Sequence, residues 1–372
     1  MQLLTPWQKF KHYFYGLAWL CLFASFNTAA AQSEEFTTKT AHIAVILPAQ
    51  AKALATAAEA IRLGINAAQQ QFSEGNTLEV RFYPHDGTSQ SFLASYQQAV
   101  AAGAVGIIGP LTRNNIAELE KHAELNLPIL ALNRLDTSPP RNLYYIGLSI
   151  DSEAQQIAQI MHAEACVRPA VLESKATLAP RMAENFVNYW QQWHSESVLH
   201  YFTDNDTLMT LQTQLHAEQV DCIFLAADVR QARLIRPYIG NEWPIYGTSQ
   251  LWNGRYGAMS GNTDLIGIKF IDIPWLIDPY HPGYQQLRQD RQLMPTDWER
   301  LYALGIDAYR LMVLRLITTD DSAINVQGVT GALHLGADVF RRELSIGQIG
   351  QLAPTPETDP NENVEILPLN TP

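Results

Sequence analysis

Hydroxyl and amide side chains come close after several short apolar runs of this 372-residue chain: Thr112, Asn133, Ser149, Thr248 and Ser249. If those runs are parallel strands, their carboxyl ends share one edge of a sheet, which is where such folds bind ligands. Free N–H groups of the helices that follow would favour a carboxylate or another anion. Gly109, Leu111 and Trp252 are candidates for the same cleft. The alternative is that the polar residues only cap helices or shape turns, and that Trp252 only packs.

Short catalytic motifs are absent from the sequence. It contains neither glycine-rich nucleotide loop, G-x-x-x-x-G-K-[ST] or G-x-G-x-x-G, and neither a G-x-S-x-G nucleophile turn nor an H-E-x-x-H zinc motif. His162-Ala163-Glu164 opens like a zinc-deaminase signature, but Ile-Phe-Leu follows Cys222 where that signature needs a second cysteine. We therefore expect no metal, no cofactor and no enzymatic activity, with an enzyme that lacks a short motif as the alternative.

The charge balance excludes one class of partner. Acidic residues outnumber basic ones by 37 to 25, which gives a formal net charge of −12, and no basic block is present. Lysine and arginine contacts to phosphates supply most of the non-specific affinity of a protein for nucleic acid. We therefore expect no nucleic-acid partner.

The first residues are typical of a cleaved secretion signal. Lys9 and Lys11 precede the apolar stretch 13–26, and Ala29-Ala30-Ala31 fits the small-x-small cleavage rule. This stretch is shorter than the ~20 residues of a spanning helix, so we expect a signal peptide over 1–31 and no transmembrane segment in the mature chain. Leu20 is too large for the residue before a lipidated cysteine, which favours a periplasmic protein over an outer-membrane lipoprotein attached at Cys21. An uncleaved anchor is the alternative.

Apolar runs alternate with amphipathic helical patterns along the rest of the chain. The run 41–47 (AHIAVIL) predicts a buried strand, and Ile61, Ile65 and Ala68 fall on one face of the helix that follows. The alternation starts again at about residue 170, so we predict an α/β fold with two parallel sheets, each flanked by helices. Two later runs, 329–335 and 344–350, resemble the arms of a closing hairpin, and the proline-rich tail 353–372 should be disordered.

Two cysteines remain after the expected cleavage. The predicted strands could place Cys166 and Cys222 near the same end of neighbouring strands, and an exported compartment permits a disulfide. The alternative is two buried thiols, which we favour from the sequence.

Five segments in order carry a family resemblance: 109–119 (GPLTRNNIAEL), 129–133 (ILALN), 301–309 (LYALGIDAY), 328–333 (GVTGAL) and 342–350 (RELSIGQIG). Together they resemble the C-terminal domain of the LppC lipoprotein family, which has the two-lobed type I periplasmic-binding-protein fold. The resemblance implies a first lobe of 41–148 plus about 275–325 and a second of 149–274 plus about 326–352.

The same resemblance implies a function. Members of the family are non-enzymatic regulators of peptidoglycan synthesis, which activate a class A penicillin-binding protein from the outer membrane. No partner-docking residue can be carried over to this sequence. The alternative is a periplasmic solute-binding protein that holds a small polar ligand, such as an amino acid or a peptidoglycan fragment, between its lobes.

Overall fold

The structure, a computed structural model, describes residues 40–351 except 73–77, 122–124, 194–197, 254–262, 279–280, 289–293, 319–323 and 337. The expected signal peptide, Cys21 and the tail 353–372 lie outside the described residues. In the part of the chain that is described, no helix combines the length and the apolar character needed to cross a membrane.

The first lobe is built around an eight-stranded sheet. Its parallel part contains β1 (His42–Leu47), β2 (Glu79–Pro84), β3 (Ala104–Ile108), β4 (Ile129–Ala131) and β5 (Leu143–Tyr145), in the order β5-β4-β3-β1-β2. The helices between these strands are α1 (Ala55–Gln71), α2 (Ser89–Ala101) and α3 (Arg113–Glu120). Every residue of β1 is buried, as expected for a central strand with helices on both faces.

The second lobe is built around a six-stranded sheet. It contains β6 (Pro169–Glu173), β7 (Leu199–Phe202), β8 (Cys222–Ala226), β9 (Ile245–Gly247) and β10 (Lys269–Asp272), which are parallel in the order β10-β9-β8-β6-β7. The helices of this lobe are α4 (Ile150–Ala163), α5 (Ala179–Trp190), α6 (Asn205–Ala217) and α7 (Val229–Ile239), with 3₁₀ turns at Ser249–Leu251 and Thr263–Leu265. The prediction of an α/β fold with two mostly parallel, helix-flanked sheets is confirmed.

The chain then returns to the first lobe through three helices: α8 (Pro274–Ile277), α9 (Pro282–Arg288) and α10 (Thr296–Ile317). Helix α10 packs across α1 in the core of the first lobe. The two helices approach closely at Gly64 and Gly305, where a Cβ atom would collide with backbone carbonyls of the facing helix, those of Tyr302 and Ile61 respectively. Glycine is therefore required at this crossing.

The last four strands are β11 (Asn325–Gly328), β12 (Gly331–Gly336), β13 (Val339–Glu343) and β14 (Ser345–Gln348). Strands β11, β12 and β13 join the first sheet, with Val339 of β13 opposite Tyr145 of β5, whereas β14 pairs antiparallel with β10. The assignment of the whole stretch from about 326 to the second lobe is therefore wrong, and so is the hairpin predicted between 329–335 and 344–350. Both sheets use these strands to cover an edge that would otherwise be unpaired.

A disulfide joins Cys166 and Cys222, whose Cα atoms lie 6.0 Å apart. The expectation of two buried thiols is therefore wrong, although the expected strand layout is present. Strands β6 and β8 are paired, with Pro169 opposite Cys222, and Cys166 comes just before β6. Asp221 lies close enough to both sulfurs to share a metal ion with them, but bonded sulfurs are not thiolate ligands.

Candidate functional site

A cavity of about 290 Å³ lies between the two lobes, where the chain passes from one to the other. The segment between β5 and α4 supplies Gly147 and Ser149, and the first turn of α4 supplies Ile150 and Glu153. Other lining residues come from the turn after β9, from β10, from α10 and from β13: Ser249, Asp272, Arg300, Phe340 and Arg342. Four of these lining groups are ionisable, and three of them, Glu153, Asp272 and Arg300, are buried. The site is therefore defined by buried charge.

Arg300 and Asp272 form an ion pair in the cavity wall. The guanidinium donates from Nη2 to Oδ2 of Asp272 at 2.6 Å and from Nε to Oδ1 at 3.1 Å, and the Asp272 carboxylate is 1% exposed. Arg300 also donates to the carbonyls of Ser249 and Trp252, which connects helix α10 of the first lobe to the second lobe. Burial acts to lower the pKa of Arg300, but the negative charge of Asp272 outweighs it and raises that pKa. Burial raises the pKa of Asp272, although the positive charge of Arg300 acts against it. The guanidinium of Arg300 therefore stays charged, and its hydrogen bonds to the second lobe hold the lobes together.

Glu153 lies on the buried face of α4, beside this ion pair. Its Oε2 accepts the backbone N–H of Ser249 at 2.9 Å. Burial, with the nearby negative charge of Asp272, raises the pKa of Glu153 to about 7. The carboxyl group is therefore ionised only in part at neutral pH.

Arg342 is the second cation of the cavity, and it is held differently. Its Nε donates to Oγ1 of Thr330 at 3.1 Å and its Nη1 donates to the carbonyl of Gly147 at 2.6 Å. Its Nη2 is buried and has no hydrogen-bond partner among the described residues. Burial lowers the pKa of Arg342 to about 10, so the side chain carries its charge throughout the physiological range.

The cavity brings together two of the candidate residues, Ser149 and Ser249. Ser149 is the N-cap residue of α4, yet its side chain accepts no N–H group of the helix and contacts Asp151 instead. Ser249 contributes its backbone to the site, through the N–H bonded to Glu153 and the carbonyl bonded to Arg300.

The candidates around the turn after β3 lie outside the cavity lining. Thr112 caps α3 by accepting the N–H of Asn115 at 3.4 Å, and Asn133 donates to the carbonyl of Leu111 at 3.2 Å. Leu111 packs against the core of the first lobe. Gly109 has a φ of 113° and lies so close to β1 that a Cβ atom would strike the carbonyl of Ile46. All four have a structural role here.

Thr248 and Trp252 also lie outside the lining of the cavity. Thr248 is fully buried and its hydroxyl contacts the sulfur of Met182 at 3.2 Å. The indole of Trp252 stacks on Phe270, with ring centroids 5.0 Å apart. Both residues form the core behind the cavity wall.

Sequence reasoning missed the charged members of the site: Glu153, Asp272, Arg300 and Arg342. A signal existed for Glu153, which shares the buried face of α4 with Ile157 and Met161 at a spacing of four residues. Arg342 lies two residues after Phe340 in β13, which places both side chains on the same face of the sheet.

The fold and this cleft define a two-lobed protein of the type I periplasmic-binding-protein class. One similar structure is described as "a putative branched-chain amino acid ABC transporter" from Chromobacterium violaceum, with 34% identity, a TM-score of 0.72, and coverage of 83% of this chain and all of that one. The LpoA C-domain from Haemophilus influenzae, "a regulator of PBP1A", is 23% identical, with a TM-score of 0.68 over 84% of this chain and 98% of that one. At that identity the second likeness shows the fold alone.

The chain belongs to the LppC family. The family model described as "LppC putative lipoprotein" matches residues 33–215 and 205–350. Among its relatives is a "Penicillin-binding protein activator LpoA" of Photobacterium profundum, 27% identical over 347 residues that cover 82% of this chain and 55% of that protein. Another of the same name, from Vibrio antiquarius, is 28% identical over 66% of this chain and 47% of that protein. The chain therefore spans about half the length of these relatives.

Proposed function

We propose that this protein is a periplasmic regulator of peptidoglycan synthesis that activates a class A penicillin-binding protein and has no catalytic activity of its own. The observation that carries the proposal is the match to the LppC family across both lobes, with relatives named as activators of a penicillin-binding protein. The periplasmic location is supported by the sequence features of a cleaved signal peptide.

The chemistry of the cleft supports a non-catalytic role. Its lining, as described, contains no histidine or cysteine, and Arg300 and Asp272 are engaged with each other. The Ser149 hydroxyl donates to the carboxylate of Asp151 at 3.4 Å, and that carboxylate is paired with Arg181. Glu153 accepts the N–H of Ser249, so both carboxyl groups near the serine are already engaged.

Reconstitution tests the activator function. A purified class A penicillin-binding protein is supplied with lipid-linked peptidoglycan precursor, and glycan polymerisation is followed with and without the chain from Gln32 onward. We expect faster polymerisation with the folded chain, and the basal rate with a heat-denatured sample. A rate that the folded chain does not change, together with no recovery of a synthase when the chain is used as bait in an envelope extract, would refute activation.

A second candidate function is binding of a small polar ligand between the lobes. The cavity of about 290 Å³ lies at the small end of the range of ligand pockets, and the 34% identical relative is described as "a putative branched-chain amino acid ABC transporter". Ligand binding and synthase activation are compatible in one molecule, so each needs its own assay.

A further inference from the structure

Helix α7 of the second lobe is basic in a protein that is acidic overall. Three of its eleven residues are arginines and none is acidic, whereas the whole chain has a formal net charge of −12: Arg230, Arg233 and Arg236. Residues three positions apart lie along one side of a helix. Two carboxylates lie close to these three cations, Asp228 at the helix N-cap and Asp264, which is 3.7 Å from Arg233. Arg236 donates instead to the neutral amide oxygen of Asn241 at 2.5 Å. The charge along this side of the helix is therefore positive.

Exposed apolar side chains accompany this positive charge. Leu234 and Tyr238 are 60% and 39% exposed, and they are four residues apart on α7, which places them on one face of the helix. Ile266 is 55% exposed and follows the 3₁₀ turn Thr263–Leu265, which packs against α7. We call the exposed surface of α7 together with residues 263–268 the α7 face. It combines cations with apolar groups, so it suits a chain segment that is both acidic and apolar.

A second cavity, of about 440 Å³, opens on the α7 face. Its lining includes Arg236 of α7, Trp243 and Ile245 at the start of β9, and Ile266 and Ile268 ahead of β10. The cavity between the lobes is lined instead by residues that follow the other end of β9. The two cavities therefore lie at opposite ends of the second sheet and are separate sites.

The described chain ends beside this second cavity. The N–H of Ile349 donates to the carbonyl of Ile268, and the N–H of Gly267 donates to the carbonyl of Ile349, both at 2.9 Å. A Cβ atom on Gly350 would lie 3.0 Å from the side chain of Ile266, a lining residue. The described part of the second lobe thus ends at the rim of the cavity.

The sequence that follows has the complementary composition. Residues 352–372, which we call the acidic segment, contain four acidic residues and no basic one: Glu357, Asp359, Glu362 and Glu365. Four apolar residues lie close together near its end: Val364, Ile366, Leu367 and Leu369. Residues 352–363 can span up to about 40 Å, and a helix of eleven residues is about 16 Å long. The acidic segment is therefore long enough to bring its apolar residues to any part of α7.

We propose that the acidic segment binds to the α7 face of its own chain. Its carboxylates lie against the arginines of α7, and its apolar residues cover Leu234, Tyr238 and Ile266. A segment too polar to form a core of its own can still bind a surface that is already folded. The proposal goes beyond the proposed function and does not depend on activation of a synthase or on a ligand between the lobes.

Photo-cross-linking in the intact chain tests the contact. A photoreactive phenylalanine analogue replaces Leu367, and mass spectrometry after proteolysis identifies the residues to which it becomes linked. We expect links within one molecule to α7 or to residues 263–268. Links only to other parts of the folded chain, or no links at all, would overturn the proposal. So would cross-linked dimers whose yield rises with protein concentration, because they would place the segment on a second copy.

Charge variants of the same photoreactive chain test why the segment binds. Neutralising its four acids together, with glutamine for glutamate and asparagine for aspartate, should lower the yield of links to α7 at least about fivefold. High salt should act in the same direction, because it screens exposed charges. Arg230→Glu should also lower the yield, whereas Arg341→Glu, at an exposed position of β13 in the first lobe, should leave it unchanged.

Apolar variants and hydrogen exchange complete the test. Leu234→Ser should lower the yield of links, whereas Met209→Ser on the neighbouring helix α6, where Met209 is 75% exposed, should not. Amide exchange in α7 should become faster when the four acids are neutralised, and exchange in α6 should stay the same. Circular dichroism confirms that each variant is folded. A yield that neither the neutralised acids nor Arg230→Glu reduces would overturn the proposal, whatever the outcome of the synthase assay.

Discussion

Replacement of Glu153 by glutamine should remove a pH dependence from the stability of the protein. The pKa of this carboxyl is about 7 in the folded state, against about 4.3 for an unperturbed glutamate in an unfolded chain. Between these two pH values the folded state holds a proton that the unfolded state has lost. The free energy of unfolding therefore falls as pH rises from about 4.3 to about 7.

The size of the effect follows from the same two pKa values. Each pH unit between them is worth about 1.4 kcal/mol, so full ionisation of Glu153 costs the folded state about 4 kcal/mol. The amide oxygen of glutamine can still accept the N–H of Ser249. We expect Glu153→Gln to match the wild type near pH 4.5 and to be more stable by up to about 4 kcal/mol at pH 8.

Urea unfolding, followed by tryptophan fluorescence at a series of pH values, measures this difference. The ionisable groups that both proteins share contribute almost equally to the pH dependence of stability, so their contributions largely cancel in the comparison. The exceptions are Asp272, Arg300 and Arg342, which lie near enough to residue 153 for their own pKa values to change. Glu299→Gln is the matched control, because Glu299 is equally buried but accepts its hydrogen bond from Trp275. A stability difference between Glu153→Gln and wild type that stays constant from pH 5 to pH 8 would refute the reasoning.

Three other variants follow from the fold. Replacing Cys166 and Cys222 by alanine should lower the free energy of unfolding by about 4 kcal/mol, since the disulfide closes a loop of 56 positions. Urea titration measures the loss. A mass shift after thiol alkylation of the unreduced wild type would contradict the disulfide. Gly305→Ala should destabilise by about 2 kcal/mol through its collision with α1, whereas Gly336→Ala, which meets nothing within 4 Å, should cost less than half of that in the same titration. Thr112→Ala should lower the free energy of unfolding by about 1 kcal/mol through loss of the α3 helix cap, and an unchanged urea midpoint would contradict this role.

The fold could be predicted because its central elements depend on local pattern. The fully apolar run of β1 is typical of a strand covered on both faces, and Ile61, Ile65 and Ala68 lie at helical spacing. The last strands could not be placed in the same way. Strand β13 pairs with β5, almost 200 residues earlier, and nothing within β13 itself encodes that partner. Their pairing depends on contacts between residues that are far apart in the sequence.

The site was predicted less well, for a different physical reason. A hydroxyl after a strand has the same signature whether it caps a helix or binds a ligand, so Thr112 and Ser149 could not be told apart. The structure separates them, since Thr112 is used as a cap and Ser149 lines the cavity. The charged residues of the cleft come from positions between 153 and 342, and only the tertiary fold brings them together.

The single residue between β13 and β14 has a mechanical consequence. Strand β13 ends at Glu343 in the first sheet and β14 begins at Ser345 in the second, so Leu344 alone spans the boundary. Its backbone N–H donates to the side-chain oxygen of Gln156 in α4 at 2.8 Å, and this hydrogen bond restrains the backbone at Leu344. A single residue gives the backbone few dihedral angles with which to absorb a change between the two strands. The edges of the two sheets are therefore held in register at this point of the chain.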